Sequence, residues 1–209
     1  MQCDTKKIGI LGGTFNPIHV GHLILAQNAL DYYKLDSVMF IPAGVSYFKN
    51  QDEIVKIQHR LNMVQLAIND NDRFSLSTIE TDRAGNSYTY ETLDILKKEN
   101  PNVHYYYIIG ADTLFKIDTW KNPGDIFSKC TLCCQKREGY LDDEIQSRKK
   151  YLEENYGASI EIMDVPEILI SSTFVRNSIK NGCDLRYYLT KPVMEYIKDN
   201  RLYYGNDCY

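Results

Sequence analysis

The stretch Gly12-Gly13-Thr14-Phe15-Asn16-Pro17-Ile18-His19-Val20-Gly21-His22 constrains this chain more than any other. An apolar run from Ile8 to Leu11 precedes it with the character of a buried strand. Leu23 to Leu30 follows, apolar at helical spacing. Strand, glycine turn and helix is the order in which α/β proteins present backbone N–H groups to a phosphate. Gly12 and Gly13 carry no Cβ, so a bulky anion can come close to the main chain. His19 and His22 project on one face at the positive end of the helix, placed to donate hydrogen bonds to phosphate oxygens.

Other phosphate loops do not fit. A P-loop closes on Gly-Lys-Ser/Thr, and this stretch holds no lysine. The dinucleotide fingerprint G-x-G-x-x-G is not met by Gly9-x-x-Gly12-Gly13. A His-x-x-His pair can hold zinc only with further ligands, and none is evident nearby. An ordinary βα turn with two solvated histidines is the plain alternative.

At 209 residues the chain can bury one good core, and a single domain over 1–209 is the expectation, its C-terminal helices from about 173 packed on the sheet. The net charge of −4 gives no global basic field, which excludes a general nucleic-acid binder. An anionic ligand must therefore be held by a local cluster of His, Lys, Arg and helix ends. No window approaches 18 apolar residues and the N-terminus is polar, so no membrane partner and a cytoplasmic location are expected. Cys130-x-x-Cys133-Cys134 lies in a strand-like run, where residues an odd number apart face opposite ways. That makes a poor chelate, so the thiols are read as reduced, buried apolar residues.

Strand-like and helical runs alternate along the chain. Ser37 to Ile41, Phe74 to Ile79, Val103 to Ile109, Cys130 to Gln135 and Ile160 to Met163 read as strands. Between and after them, helices are expected over Ile57–Ile68, from Thr89 to before Pro101, over Asp142–Tyr156, and near Thr173–Asn181 and Pro192–Asp199. The Asp142–Tyr156 run carries both charge signs and reads as a solvated face. The alternation predicts an α/β, Rossmann-like, doubly wound parallel sheet with helices on both faces. In such sheets ligands gather at the carboxyl ends of the strands.

The residues from Gly12 to His22 resemble the signature of the H-x-G-H nucleotidyltransferases, specifically bacterial nicotinate-nucleotide adenylyltransferase. The resemblance implies that His19 and His22 stabilise the triphosphate of ATP, with Gly12, Gly13, Thr14 and Phe15 lining it. That family often has Asp where Asn16 stands. It usually carries Pro-Pro-His-Lys where this chain has Ser46-Tyr47-Phe48-Lys49, so Lys49 is retained and implied to meet a substrate phosphate. Ser87-Tyr88-Thr89-Tyr90-Glu91-Thr92-Leu93 is similar to the family's S-Y-T-x-[DE]-T-L, which puts Thr89 near the pyridine ring; as residues alone, Thr89 is an acceptable helix N-cap. Asp112, at the end of the Val103–Ile109 strand, either caps the next helix or, by resemblance, bonds ribose hydroxyls on the ATP side. Trp120-Lys121 precedes a Pro-Gly turn; a flat indole suits stacking on a pyridinium ring, and the pair favours a pyridine nucleotide acceptor.

Ser171-Ser172-Thr173-Phe174-Val175-Arg176 is similar to the family's S-S-T-x-[IV]-R. Its hydroxyls are natural caps, whereas a cation in the first turn opposes the helix dipole by about 0.3–1 kcal/mol. A bound phosphate reverses that sign, so Arg176 reads as a triphosphate clamp. The catalytic set is therefore His19, His22 and Arg176, with Ser171, Ser172, Thr173 and Asp112 also on ATP, and Lys49, Thr89, Trp120 and Lys121 on the mononucleotide. The implied reaction joins ATP and nicotinate mononucleotide, with Mg2+ riding on ATP and no resident metal. A nicotinamide-mononucleotide or phosphopantetheine adenylyltransferase, and a regulatory module that only binds nucleotide, stand as alternatives. Assembly into a homo-oligomer is left open.

Overall fold

A computed structural model describes residues 5–44, 54–136 and 139–204. Six strands, β1 (Lys7–Gly13), β2 (Ser37–Pro42), β3 (Phe74–Leu76), β4 (His104–Gly110), β5 (Cys130–Gln135) and β6 (Ser159–Met163), form one sheet. The order across it is β3-β2-β1-β4-β5-β6, and every pairing is parallel. The chain works outward from β1 to one edge and then returns to start again at β4. A switch point therefore lies between β1 and β4, whose carboxyl ends are Gly13 and Gly110.

The helices are α1 (Val20–Tyr32), α2 (Ile57–Ile68), α3 (Thr89–Glu99), α4 (Ala111–Leu114), α5 (Pro123–Phe127), α6 (Asp142–Tyr156), α7 (Ser172–Lys180) and α8 (Lys191–Asp199). Two cores form, one on each side of the sheet, because each buried strand sends alternate residues to opposite faces. Tyr106, Ile108 and Cys133 join Ala26, Val64, Ile179 and Val193, from α1, α2, α7 and α8. Tyr105, Tyr107, Cys130 and Cys134 join Leu93, Leu114, Ile126 and Leu152, from α3 to α6. Cys130 and Cys133 therefore do face opposite ways, and both thiols are buried and pushed to high pKa by that burial. Among the described residues no helix is long and apolar enough to cross a membrane.

The strand expected over Phe74–Ile79 stops at Leu76. Thr78 and Asp82 close a tight turn there, with Thr78 Oγ1 donating to Asp82 Oδ2 at 2.6 Å and the Thr81 N–H bonding the Thr78 carbonyl. The backbone groups that would extend the ladder are used locally instead.

Candidate active site

Two clefts open at the switch point and share Gly13 and Thr14. The larger, of about 640 Å3, runs from the glycine turn past His19 and His22 to Asp112 and the start of α7. The smaller, of about 440 Å3, lies across β1 among Tyr88, Thr89, Tyr107 and Trp120.

The glycines do not make the bend that the sequence suggested, because both lie inside β1. The left-handed residue is Phe15, at φ +47°, a conformation costing about 1–3 kcal/mol for a residue with a Cβ. Burial holds it there: Phe15 is 1% exposed, its ring edge-on to His22 at 5.0 Å and 6.0 Å from Phe40. It supports the histidine and offers little surface to a ligand. Gly12 is needed for closeness, since a Cβ would sit 2.9 Å from the Tyr107 hydroxyl. It lines the smaller cleft and not the larger one that holds the histidines.

His19 is the N-cap of α1, and His22 lies three residues on. Their rings lie 3.7 Å apart between centroids, tilted by 31°, so two cations there would repel. The His19 backbone N–H donates to His22 Nδ1 at 3.2 Å, which leaves Nε2 as the donating nitrogen of a neutral ring. His19 is 5% exposed, and burial pulls its pKa down to about 4. The His19 ring is thus neutral near pH 7. The buried His19 Nδ1 has no hydrogen-bond partner, a cost of about 1–3 kcal/mol that native folds carry mainly at functional positions. Gly21 makes room for this ring: a Cβ there would lie 3.1 Å from His19 Nδ1.

The start of α7 closes the larger cleft. Ser171 is its N-cap, accepting from the Phe174 N–H at 3.1 Å, and Ser172 Oγ donates to the Pro17 carbonyl at 2.9 Å. Because α7 begins at Ser172, Arg176 falls beyond the first turn. The dipole argument for its placement is therefore weak. Its guanidinium instead donates to the Asn16 carbonyl at 3.0 Å and to Thr173 Oγ1 at 3.3 Å, which fixes it on the rim of the cleft. Asn16 is a junction: its Oδ1 accepts from Tyr203 Oη at 2.8 Å and from the Val55 N–H at 3.2 Å. Both bonds need only an acceptor, so Asn serves where the family's Asp would. Asp112 is an exposed residue of α4 at the same cleft, and Gly110, not Asp112, is the N-cap.

In the smaller cleft Thr89 is the first residue of α3, not its cap; Tyr88 takes that place with no side-chain bond. Extended Tyr88 leaves Thr89 Oγ1 3.5 Å from Tyr107 Oη instead. Trp120 meets the Tyr107 ring edge-on at 6.4 Å, and Lys121 Nζ lies 4.1 Å over the Tyr88 ring. Lys49 lies outside the described residues, as does Ser46-Tyr47-Phe48.

Four site residues escape a reading of the sequence. Arg60, on the inner face of α2, is 2% exposed and donates to the Thr14 carbonyl at 2.8 Å and the Gly44 carbonyl at 3.4 Å, so it pins the turn shared by both clefts. A charge at a core position of a helix was the available signal. Tyr107 was visible only as a β-former; burial keeps its phenol protonated. Glu80 lines the smaller cleft and accepts from Thr92 Oγ1 at 2.9 Å, its pKa raised by burial against the Thr92 bond and Arg83. Gln135, at the end of β5, lines the larger one and donates to the Pro166 carbonyl at 3.3 Å. Among the described residues no group of three or more His, Cys, Asp or Glu is placed to hold a metal ion.

Comparison with known proteins places the chain in a family. The cytidylyltransferase-like family model matches residues 10–178. A Lachnoclostridium phytofermentans protein named "Probable nicotinate-nucleotide adenylyltransferase" is 39% identical over 198 residues, 95% of this chain and 99% of its own. A Clostridium tetani protein of the same name is 40% identical over the same shares. The fold matches Plasmodium falciparum nicotinic acid mononucleotide adenylyltransferase at 20% identity over 95% of this chain and 97% of that one. Its complexes with APC and with NaAD give TM-scores of 0.77 and 0.78.

Proposed function

The chain belongs to the nicotinate-nucleotide adenylyltransferases of the cytidylyltransferase-like family, and on that premise we propose how its two clefts divide the reaction. The enzyme transfers the adenylyl group of ATP to nicotinate mononucleotide, giving nicotinate adenine dinucleotide and pyrophosphate in NAD biosynthesis. ATP occupies the larger cleft, ribose toward Asp112 and triphosphate toward His19, His22 and Arg176. The mononucleotide occupies the smaller cleft, its pyridine ring against Trp120. The observation that carries this division is the meeting of the clefts at Gly13 and Thr14, where two bound phosphates come together.

A phosphate oxygen of the mononucleotide bonds to the α-phosphorus, and the bond from that phosphorus to the bridging oxygen breaks. The electron pair leaves on pyrophosphate. The nucleophile is already an anion, so alignment and charge stabilisation are the protein's work. His22 Nε2–H and the His19 ring donate to oxygens that gain charge in a partly buried site. Arg176, held by Asn16 and Thr173, supplies the positive charge. Mg2+ is proposed to arrive on the triphosphate and to keep most of its waters, where it would neutralise phosphate charge. Lys49 is proposed to meet a substrate phosphate. Action in the cytoplasm, where ATP is abundant, completes the reading.

The test is an acceptor panel. ATP is offered with nicotinate mononucleotide, its amide counterpart and phosphopantetheine at one concentration, and products are identified by mass. The acid mononucleotide should give the dinucleotide with stoichiometric pyrophosphate. Preferential use of phosphopantetheine, or nucleotide binding without pyrophosphate release, would refute the proposal.

A further inference from the structure

The charged helix α6 contributes no side chain to either cleft, yet one of its residues reaches the segment that ends at Trp120. Arg148 donates from Nε to the Leu114 carbonyl and from Nη2 to the Phe115 carbonyl, both at 3.2 Å, and from Nη2 also to Asp118 Oδ1. The side chains of Arg148 and Asp118 are 14% and 18% exposed, so the pair is largely withdrawn from water. The first two acceptors are carbonyls at the end of α4, where a helix leaves such groups without internal partners and a cation is favoured. The third belongs to the 3-10 turn Ile117–Thr119, whose C-cap is Trp120.

One guanidinium therefore joins the end of α4 to the turn that delivers the indole. Phe115 stacks on Tyr140 at 4.8 Å on the same side, and Ile117 is fully buried, so the segment is fixed from behind while Trp120 faces the cleft. A solvated helix face needs none of this. A surface arginine seldom makes three bonds to groups on another element, and only a planar fork can do so at once.

We infer that Arg148 is a positioning residue for the acceptor cleft, holding the Leu114–Asp118 segment so that Trp120 and Lys121 form its wall. The inference rests on the reading of that cleft as the mononucleotide site. Its reach to the acceptor side is the Asp118 bond, on the turn beneath Trp120; the two carbonyl bonds end on α4, whose Asp112 lies at the larger cleft, and none of the three reaches the glycine turn or α7.

Trp120 is the chain's sole tryptophan, so its fluorescence reports this wall directly. Arg148→Ala should raise KM for nicotinate mononucleotide about tenfold, raise KM for ATP by clearly less through α4, and shift the unliganded Trp120 emission. Arg148→Lys should fall between it and wild type, because a point charge cannot bond all three acceptors. Asp118→Asn keeps both carbonyl bonds and should show a one-sided KM change at smaller size, which covers the case in which Arg148→Ala fails to fold. Unchanged emission with both KM values unchanged in Arg148→Ala would overturn the clamp. So would an equal rise in the two KM values in Arg148→Lys and Asp118→Asn, which marks general loosening. In wild type, nicotinate mononucleotide alone should quench Trp120; no quenching would reject the cleft assignment itself, and the clamp with it.

Discussion

The two clefts are built on opposite plans. The larger takes its histidines, arginine and hydroxyls from two short segments, 13–22 and 171–176, which a strand end, a helix start and a second helix start bring together, with Asp112 added from α4 and Gln135 from the end of β5. The smaller is gathered from scattered places: the end of β2, Glu80, the start of α3, β4 and the turn before α5. Its walls are aromatic, with Tyr88, Tyr107 and Trp120, whereas the larger has its histidine pair and arginine. On the proposed assignment of substrates, the difference follows from the tasks. Charge that develops on a triphosphate needs donors fixed to helix ends, and the fold offers these ready-made. A flat ring needs faces to lie against, and these must come from wherever side chains converge.

The division of labour can be broken most severely at the histidines. His19→Ala should lower kcat by about 10²–10³, roughly 2.7–4 kcal/mol of barrier, with KM for the mononucleotide little changed and the far-UV circular dichroism intact. A comparable rise in mononucleotide KM would show that the clefts are not separate. A milder lesion on the same side is Gly21→Ala, whose Cβ would press on His19 Nδ1 at 3.1 Å; kcat should fall about tenfold without loss of fold. On the other side, Trp120→Ala should weaken mononucleotide use by about 2- to 30-fold, the span of a roughly 0.5–2 kcal/mol cation–π contact, with ATP KM unchanged.

The smallest expected effect is on the pH profile. Since burial holds His19 near pKa 4, kcat should show no His19 inflection around pH 6.5, and an NMR titration of the free enzyme should place that ring near 4. The unfolded chain binds this proton more readily, so stability gains with rising pH and is lost as pH falls from about 6.5 to 4. The total is about 3 kcal/mol, measurable as a drop in Tm that His19→Gln should reduce.

The same contrast decides what could be read in the sequence. Residues 12–22 carry local chemistry, and the histidines lie where strand-turn-helix order put them. The parallel sheet was legible because apolar or alternating strand runs take turns with helical stretches along the chain, and Asp142–Tyr156 formed over the expected span. Phe15 was not legible, since its left-handed backbone depends on burial against His22 and Phe40. Nor was Arg60, whose partners Thr14 and Gly44 lie 46 and 16 residues away. Arg148 looked like one charge among many on a wet helix, because only the tertiary fold brings α6 onto the end of α4. Spacing within a segment survives translation into structure; contacts between distant segments leave no local mark.

The central claim is the meeting of two substrates at Gly13 and Thr14. A crystal structure with nicotinate adenine dinucleotide bound tests it most directly. The account predicts the two phosphates beside those residues, the adenosine on the His22 and Asp112 side, and the pyridine against Trp120. A dinucleotide lying wholly within one cleft, or away from the glycine turn, would contradict it.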